Sequence, residues 1–204
     1  MSSGTSEVVL IRHGETEWSR DGRHTGRTDV PLTELGREEA ALLGARLAPW
    51  RFAGVLASPL RRALDTCGLA GYGDLVEVRE DLAEWDYGAY EGRTTVDIRA
   101  ERPGWTLWID GVPAGETTEQ VGERADRIVA ELRTAGDDVA VFAHGHVLRV
   151  LAARWVGLPP AEGRALALST AAICVLGFEQ EAPVIVRWNE GAHGGAVEIV
   201  RGAG

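Results

Sequence analysis

The sequence predicts an α/β fold: a three-layer α/β/α sandwich on a mostly parallel central sheet. Three observations predict it. Short runs of β-branched residues and leucine, such as Val8–Ile11 and Val139–Phe142, lack the alternation of a half-solvated strand and read as strands buried on both faces. Segments with helix-start signals and helical spacing separate them. Strand and helix then alternate along the chain, which favours a parallel sheet covered by helices on both faces.

The first strand, Val8–Ile11, stops abruptly at Arg12-His13-Gly14. Arg20–Pro31 is polar and glycine-bearing, a loop long enough to carry function. Thr33 reads as the N-cap of an amphipathic helix running to Ala48, with Leu35, Leu42, Leu43 and Leu47 near helical spacing. Ala53–Ala57 is a second short strand. Ser58-Pro59 has the form of a helix start, serine at the N-cap and proline at the first helical position. Arg61 and Arg62 then fall in the first turn, where the helix dipole disfavours cations. An anion such as phosphate or sulfate, held by the free N–H groups, is therefore expected opposite them. Leu75–Val78 is a third strand, and Leu82–Gly92 (LAEWDYGAYEG) mixes aromatics, acids and glycines with no steady period, as an ordered loop does. Arg93–Val112 fits a short helix followed by a tryptophan-rich connection, placed to lid a site and select its substrate, although Trp105 and Trp108 suit core packing better. Thr117 and Gln120 form a capping-box pair opening a helix closed by Gly136. Asp138–Ala143 is another buried strand, ending at His144-Gly145-His146; Val147–Val156 is a helix, and Ile173–Phe178 and Val184–Trp188 are two late strands.

With 204 residues, 45% hydrophobic content and seven tryptophans, the chain can bury one substantial core. No linker divides it, so 7–204 is expected to be a single domain behind a disordered leader at 1–6 (MSSGTS). The net charge of −10 repels nucleic acid and anionic membrane. Neither is expected as a partner, and any anion site must be a local concentration of arginine. Cys67 and Cys174 stand far apart in apolar settings and read as buried free thiols. No charged stretch leading into an apolar one opens the sequence, and no apolar run reaches about 18 residues. A soluble cytoplasmic protein is the expectation, with oligomeric state open and a homodimer allowed.

Two strands, entered at Val8 and Val139, end alike: an apolar run, a histidine, a glycine. In a parallel sheet their carboxyl ends share one edge, where ligands bind in open α/β folds. His13 and His144 can meet there, with Arg12 and Arg62 arriving at the same edge. Each residue alone has a plainer explanation: a histidine after a strand is more often solvated, Arg61-Arg62 suits a surface pair, Glu84 is one acid among 31, His146 fits a helix cap, and His24 and His193 suit solvent. Together they suit a phosphoryl dianion, since guanidinium forks bind its oxygens bidentately and a neutral imidazole is a competent nucleophile.

Taken as a set, RHGET (Arg12–Thr16), SPLRRA (Ser58–Ala63), EWDYGAYEG (Glu84–Gly92) and AHG (Ala143–Gly145) resemble, in the same order, the four motifs of the histidine phosphatase superfamily, the phosphoglycerate-mutase-like clan. The match spans Val8–Leu151. The resemblance implies a phosphoglycerate-mutase-like fold, His13 as the phosphorylated nucleophile, Arg12, Arg62 and His144 as the phosphate pocket, and Glu84 as the proton donor. TEWS, HTG (His24–Gly26), EWDYGAYEG, GETTEQ and FAHGH are most similar to a bacterial acid-phosphatase branch and the related sedoheptulose-bisphosphatase branch. That likeness implies a phosphomonoesterase for small sugar or polyol phosphates, with no metal and no cofactor. Ser19, Thr25, Gly26, Trp85, Tyr87, Gly145 and His146 are the expected substrate contacts.

The mechanism follows from the residue types. His13 attacks phosphorus in line while the arginines and a protonated His144 neutralise the equatorial oxygens. Glu84 must be protonated to serve the leaving alkoxide, which calls for a pKa raised by Trp85, Tyr87 and Tyr90. Phosphoglycerate mutases place a lysine after the acid loop, an arginine pair after a tryptophan and an asparagine after the first-motif tryptophan. This chain has Thr95 near the lysine position, Ile109-Asp110 after Trp108 and Ser19 after Trp18, so a phosphatase is favoured over a mutase, and over a non-catalytic phosphate-binding protein.

Overall fold

The computed structural model describes residues 6–191. Apart from Ser6, the leader expected to be disordered lies outside the described residues, as does His193. Six strands form one sheet in the order β3-β2-β4-β1-β5-β6: β1 (Val8–Arg12), β2 (Gly54–Ala57), β3 (Val76–Val78), β4 (Val139–Ala143), β5 (Ile173–Glu179) and β6 (Ala182–Glu190). The β3-β2-β4-β1 block is parallel. β5 and β6 add antiparallel strands at one edge, and the sheet is mostly parallel, as expected.

The helices are α1 (Glu17–Arg20), α2 (Glu34–Leu47), α3 (Arg61–Leu69), α4 (Thr95–Glu101), α5 (Leu107–Asp110), α6 (Thr118–Thr134) and α7 (Gly145–Trp155). Because Val8–Ile11 of β1 are all apolar, alternate residues enter opposite cores: Val8 and Leu10 pack with α6 and α7 through Ile128 and Leu151, Val9 and Ile11 with α2 and α3 through Leu43 and Cys67. Each such side chain contributes about 1.5–3 kcal/mol on burial. Cys67 and Cys174 are buried free thiols, and burial pushes both up to about 12.

Two helix readings change. Thr33 does cap α2, but the face turned to the core is Gly36, Ala40, Leu43 and Leu47, while Leu35 and Leu42 are 46% and 49% exposed. Glycine at 36 lets backbones touch: a Cβ there would lie 2.1 Å from the Glu15 carbonyl oxygen, and one at Gly14 would lie 2.2 Å from that of Gly36. The Ser58-Pro59 start is displaced, since α3 begins at Arg61 with Leu60 at its N-cap. Its free N-terminus meets protein: the Arg61 N–H donates to Asp29 Oδ1 at 2.9 Å, which supplies the anion expected there. The Arg61 side chain pairs with Asp65 on the surface, and only Arg62 turns inward. Thr117 with Gln120 forms the expected capping box, and Gly136 adopts φ 74° just past α6.

The register of the central strands places the chemistry. Arg12 is aligned with Ala143 across β1 and β4, so His13 and His144 leave neighbouring strands side by side. Ala57 pairs with Phe142 on the other side of β4, bringing Ser58 to the same edge.

Candidate active site

The His13 ring is held by its own chain turn. Nδ1 lies 2.7 Å from the Gly14 carbonyl oxygen; a carbonyl only accepts, so Nδ1 carries the proton and Nε2 keeps its lone pair. Burial first, then Arg12 and Arg62, hold this imidazole well below its usual range, so it is neutral at pH 7. Arg12 donates to the Leu168 carbonyl at 2.6 Å, while its buried Nε has no partner among the described residues. A buried donor left unpaired costs about 1–3 kcal/mol.

Behind His13 lies a fully buried pair. The His13 and His144 ring centroids are 5.1 Å apart. Arg62 Nε donates to His144 Nδ1 at 3.1 Å, and His144 Nε2 lies 2.7 Å from Ser58 Oγ. Guanidinium cannot accept, so Nδ1 is bare, Nε2–H donates to the serine, and the ring is neutral. Burial, then Arg62, His13 and Arg12, hold its pKa well below the ordinary value. The protonated His144 expected from sequence is thus replaced by a neutral one. Arg62 also donates to the carbonyls of Thr28, Thr25 and Gly26, each at 3.0 Å. One Nη1 proton is left over, not the open fork that bidentate phosphate binding needs. Sequence spacing does not show that the 25–28 carbonyls arrive.

Glu84 caps α7. Its Oε1 accepts from the N–H groups of Val147 and Trp85, and its Oε2 from that of His146, all at 2.9 Å. Negative charge at a helix N-terminus is favourable. Backbone donors, rather than the aromatic rings expected to control it, are its immediate partners. The loop carrying it is clamped from α6: Arg124 donates to the Ala83 and Asp81 carbonyls at 2.6 and 2.8 Å and to Glu116 at 2.8 Å. Glu116 in turn accepts the Asp86 N–H at 2.9 Å. Both sides of Glu84 are fixed by this pair.

A cavity of about 360 Å³ opens on Arg12, His13 and Glu84. Of the expected substrate contacts, Ser19, Thr25, Tyr87, Gly145 and His146 line it; Gly26 and Trp85 do not. Trp85 is fully buried, its Nε1 donating to the Glu116 carbonyl. Gly26 is instead a close-approach position, where a Cβ would lie 2.5 Å from the Trp85 carbonyl oxygen. The Ser19 hydroxyl is engaged in the α1 capping box with Thr16. Tyr87 Oη and His146 Nδ1 lie 2.6 Å apart, and burial, followed by Arg149, lowers the His146 pKa.

His24, read as solvated, is 8% exposed, lies 2.8 Å from the Arg93 carbonyl through Nδ1, and lines the cavity. Thr95, Arg99, Trp105, Thr106, Leu107 and Trp108 add a wall from the 93–112 segment, and α7 adds Arg149. Arg149 was legible in principle: three residues after His146, it shares that helix face.

A family model described as "Histidine phosphatase superfamily (branch 1)" matches residues 8–191. The chain is 49% identical over 176 residues to an acid phosphatase of Mycobacterium tuberculosis, covering 84% of this chain and 86% of that protein. It is 38% identical over 191 residues to a sedoheptulose 1,7-bisphosphatase of Saccharomyces cerevisiae, covering 78% and 70%. The solved structure of an open reading frame from M. tuberculosis superposes with a TM-score of 0.88 at 46% identity, covering 92% of this chain and 99% of that one. With its sheet, the order of its four motifs and these relatives in agreement, the chain belongs to the histidine phosphatase superfamily, branch 1.

Proposed function

We propose that this protein is a phosphomonoesterase that hydrolyses small sugar or polyol phosphates through a phosphohistidine formed on His13. The observation that carries this reading is the His13 tautomer: a neutral imidazole with a bare Nε2, on a residue that lines one cavity together with Arg12 and Glu84. The relatives named as acid phosphatase and sedoheptulose 1,7-bisphosphatase support phosphate-ester hydrolysis and a sugar-phosphate class.

His13 Nε2 attacks phosphorus, and the P–O bond to the alcohol breaks on the opposite side. Arg12 binds the phosphoryl oxygens, and Arg62 adds positive charge from behind His13 through its field and one remaining N–H. His144 orients Arg62 and accepts part of its charge. Glu84 delivers its proton to the leaving oxygen and, as the carboxylate, takes one from the water that attacks phosphohistidine. The role needs no metal or cofactor, since guanidinium groups supply the positive charge. Nucleic acid has no place in this reading, and among the described residues no helix is long and apolar enough to cross a membrane.

A mutase requires cations placed to retain a second phosphoryl group. Thr95, near the position where mutases carry a lysine, lines the cavity, which favours hydrolysis. The test is phosphate release from a panel of phosphorylated metabolites in chelator-treated buffer. Release by the wild type and its loss in His13→Ala support the reading; full activity of that variant contradicts it.

A further inference from the structure

Two histidines take no part in the bond-making steps above, yet they stand together on the cavity wall. His24 comes from the loop after α1 and His146 from the first turn of α7, and both line the cavity onto which His13 and Glu84 open. Their ring centroids are 6.3 Å apart and their planes are 5° from parallel. The Tyr87 ring meets both edge-on, at 4.9 and 5.8 Å. His146 Nδ1 also lies 4.0 Å from Glu84 Oε2, so the pair stands on the side where the alcohol leaves.

Hydrogen bonding gives the two rings opposite free nitrogens. His24 Nδ1 lies 2.8 Å from the Arg93 carbonyl oxygen; a carbonyl only accepts, so Nδ1 carries the proton. Burial, partly opposed by that carbonyl, Glu84 and Glu91, lowers the His24 pKa, so the ring is neutral and its Nε2 is a bare acceptor. The Tyr87 hydroxyl is buried, and its one partner among the described residues is His146 Nδ1 at 2.6 Å. Were Nδ1 the donor, the phenolic O–H would be buried with no acceptor, which folded proteins avoid. The O–H therefore donates to Nδ1, and the proton of this ring sits on Nε2. Burial, then Arg149, His24 and Arg12, keeps His146 neutral. Neither Nε2 has a partner among the described residues, and neither is among the buried polar atoms left unpaired there, Arg12 Nε and Thr106 Oγ1. Both therefore reach the open space that their residues line.

An acceptor beside a donor suits one kind of group. A hydroxyl both donates and accepts, whereas a carboxylate only accepts and an ammonium only donates. We infer that His24 Nε2 and His146 Nε2–H read hydroxyl groups on the alcohol part of the substrate, so that a polyol ester is preferred over the same ester stripped of its hydroxyls. Tyr87 acts through His146, as the residue that sets its tautomer. This deepens the phosphatase reading and rests on it.

The test uses esters of one carbon skeleton. Glycerol 3-phosphate, 1,2-propanediol 1-phosphate and propyl phosphate carry two, one and no free hydroxyls. Wild-type kcat/KM is expected to fall about tenfold from the first to the last, mainly through KM, the scale of one or two hydrogen bonds. His24→Phe and His146→Phe keep an aromatic ring and lose the acceptor or the donor. Each is expected to lower the ratio of glycerol 3-phosphate to propyl phosphate by about threefold or more, and His24→Gln, whose amide oxygen accepts, to retain part of it. A packing role alone would lower both esters alike and leave the ratio in place. A wild-type ratio near one, or a ratio unmoved by either phenylalanine variant, overturns the proposal. If a variant does not fold, the wild-type ratio and the ring-nitrogen NMR spectrum of the 15N-histidine-labelled enzyme still decide. His24 is expected to be protonated at Nδ1 and His146 at Nε2; the reverse tautomer on either ring overturns the proposal. Failure to hydrolyse any of the three esters or p-nitrophenyl phosphate overturns the phosphatase reading itself, which separates the two failures.

Discussion

Arg62 donates from Nε to Nδ1 of His144 at 3.1 Å, and this one bond fixes the charge state of the second histidine at the site. With Nδ1 accepting and Nε2–H donating to Ser58 at 2.7 Å, His144 positions the cation behind His13 and is not itself a cation.

Ser58→Ala removes the acceptor from a fully buried ring nitrogen. An unpaired buried donor costs about 1–3 kcal/mol, so denaturant unfolding should show a loss of that size. Because the ring is then free to rotate off Arg62, kcat/KM should fall as well, and Ser58→Thr, which keeps the hydroxyl, should retain more of both.

Arg62→Lys keeps a charge but has one nitrogen to serve His144 and three carbonyls. It is expected to lose about 2–4 kcal/mol by leaving several buried acceptors unpaired, and the loop around Thr25–Thr28 should become cleavable by protease. Equal stability and unchanged proteolysis would contradict the role of Arg62 as an anchor of that loop.

The pH response follows from the buried imidazoles. His13, His144 and His146 each have a pKa held well below the ordinary value, by burial first. Below about pH 6.5 the unfolded chain takes up protons there that the folded chain refuses. Stability should therefore be complete above that pH and fall as pH drops through it, by about 1.4 kcal/mol per unit for each histidine. The nucleophile meanwhile stays unprotonated, so kcat/KM, corrected for the ionisation of the substrate phosphate, should show no protonation of His13 near 6.5. A half-maximal loss of activity at pH 6.5 in folded protein would contradict this.

Arg124 and Glu116 grip the chain on both sides of Glu84. Arg124→Met should let the acid loop drift, with a loss in kcat of about 10- to 100-fold, within the range ascribed to a positioned general acid. The loss should be large for alkyl phosphates and small for p-nitrophenyl phosphate, whose leaving group needs no proton. A merely structural role would lower both alike.

Much of the fold is visible in the sequence because its signals are local. Uninterrupted apolar runs gave β1 and β4, a threonine ahead of helically spaced leucines gave the start of α2, and a threonine matched three residues on by Gln120 gave that of α6. The two histidines could be placed on one edge from strand polarity alone. What escaped depends on distant backbone. No spacing reveals that the carbonyls of residues 25–28 occupy Arg62, that Asp29 caps α3, or that the loop after α1 wraps His24 into an aromatic wall. Trp85 lies in a motif dense with functional residues, yet its size and the Glu116 carbonyl draw it into the core.

In the proposed reaction His13 carries the phosphoryl group during turnover. Rapid acid-free quenching of enzyme mixed with substrate, followed by peptide mass spectrometry, tests it most directly. An acid-labile, alkali-stable phosphoryl group is expected on the peptide bearing His13, and none in His13→Ala. Steady turnover with no phosphopeptide, or label on another residue, would contradict it.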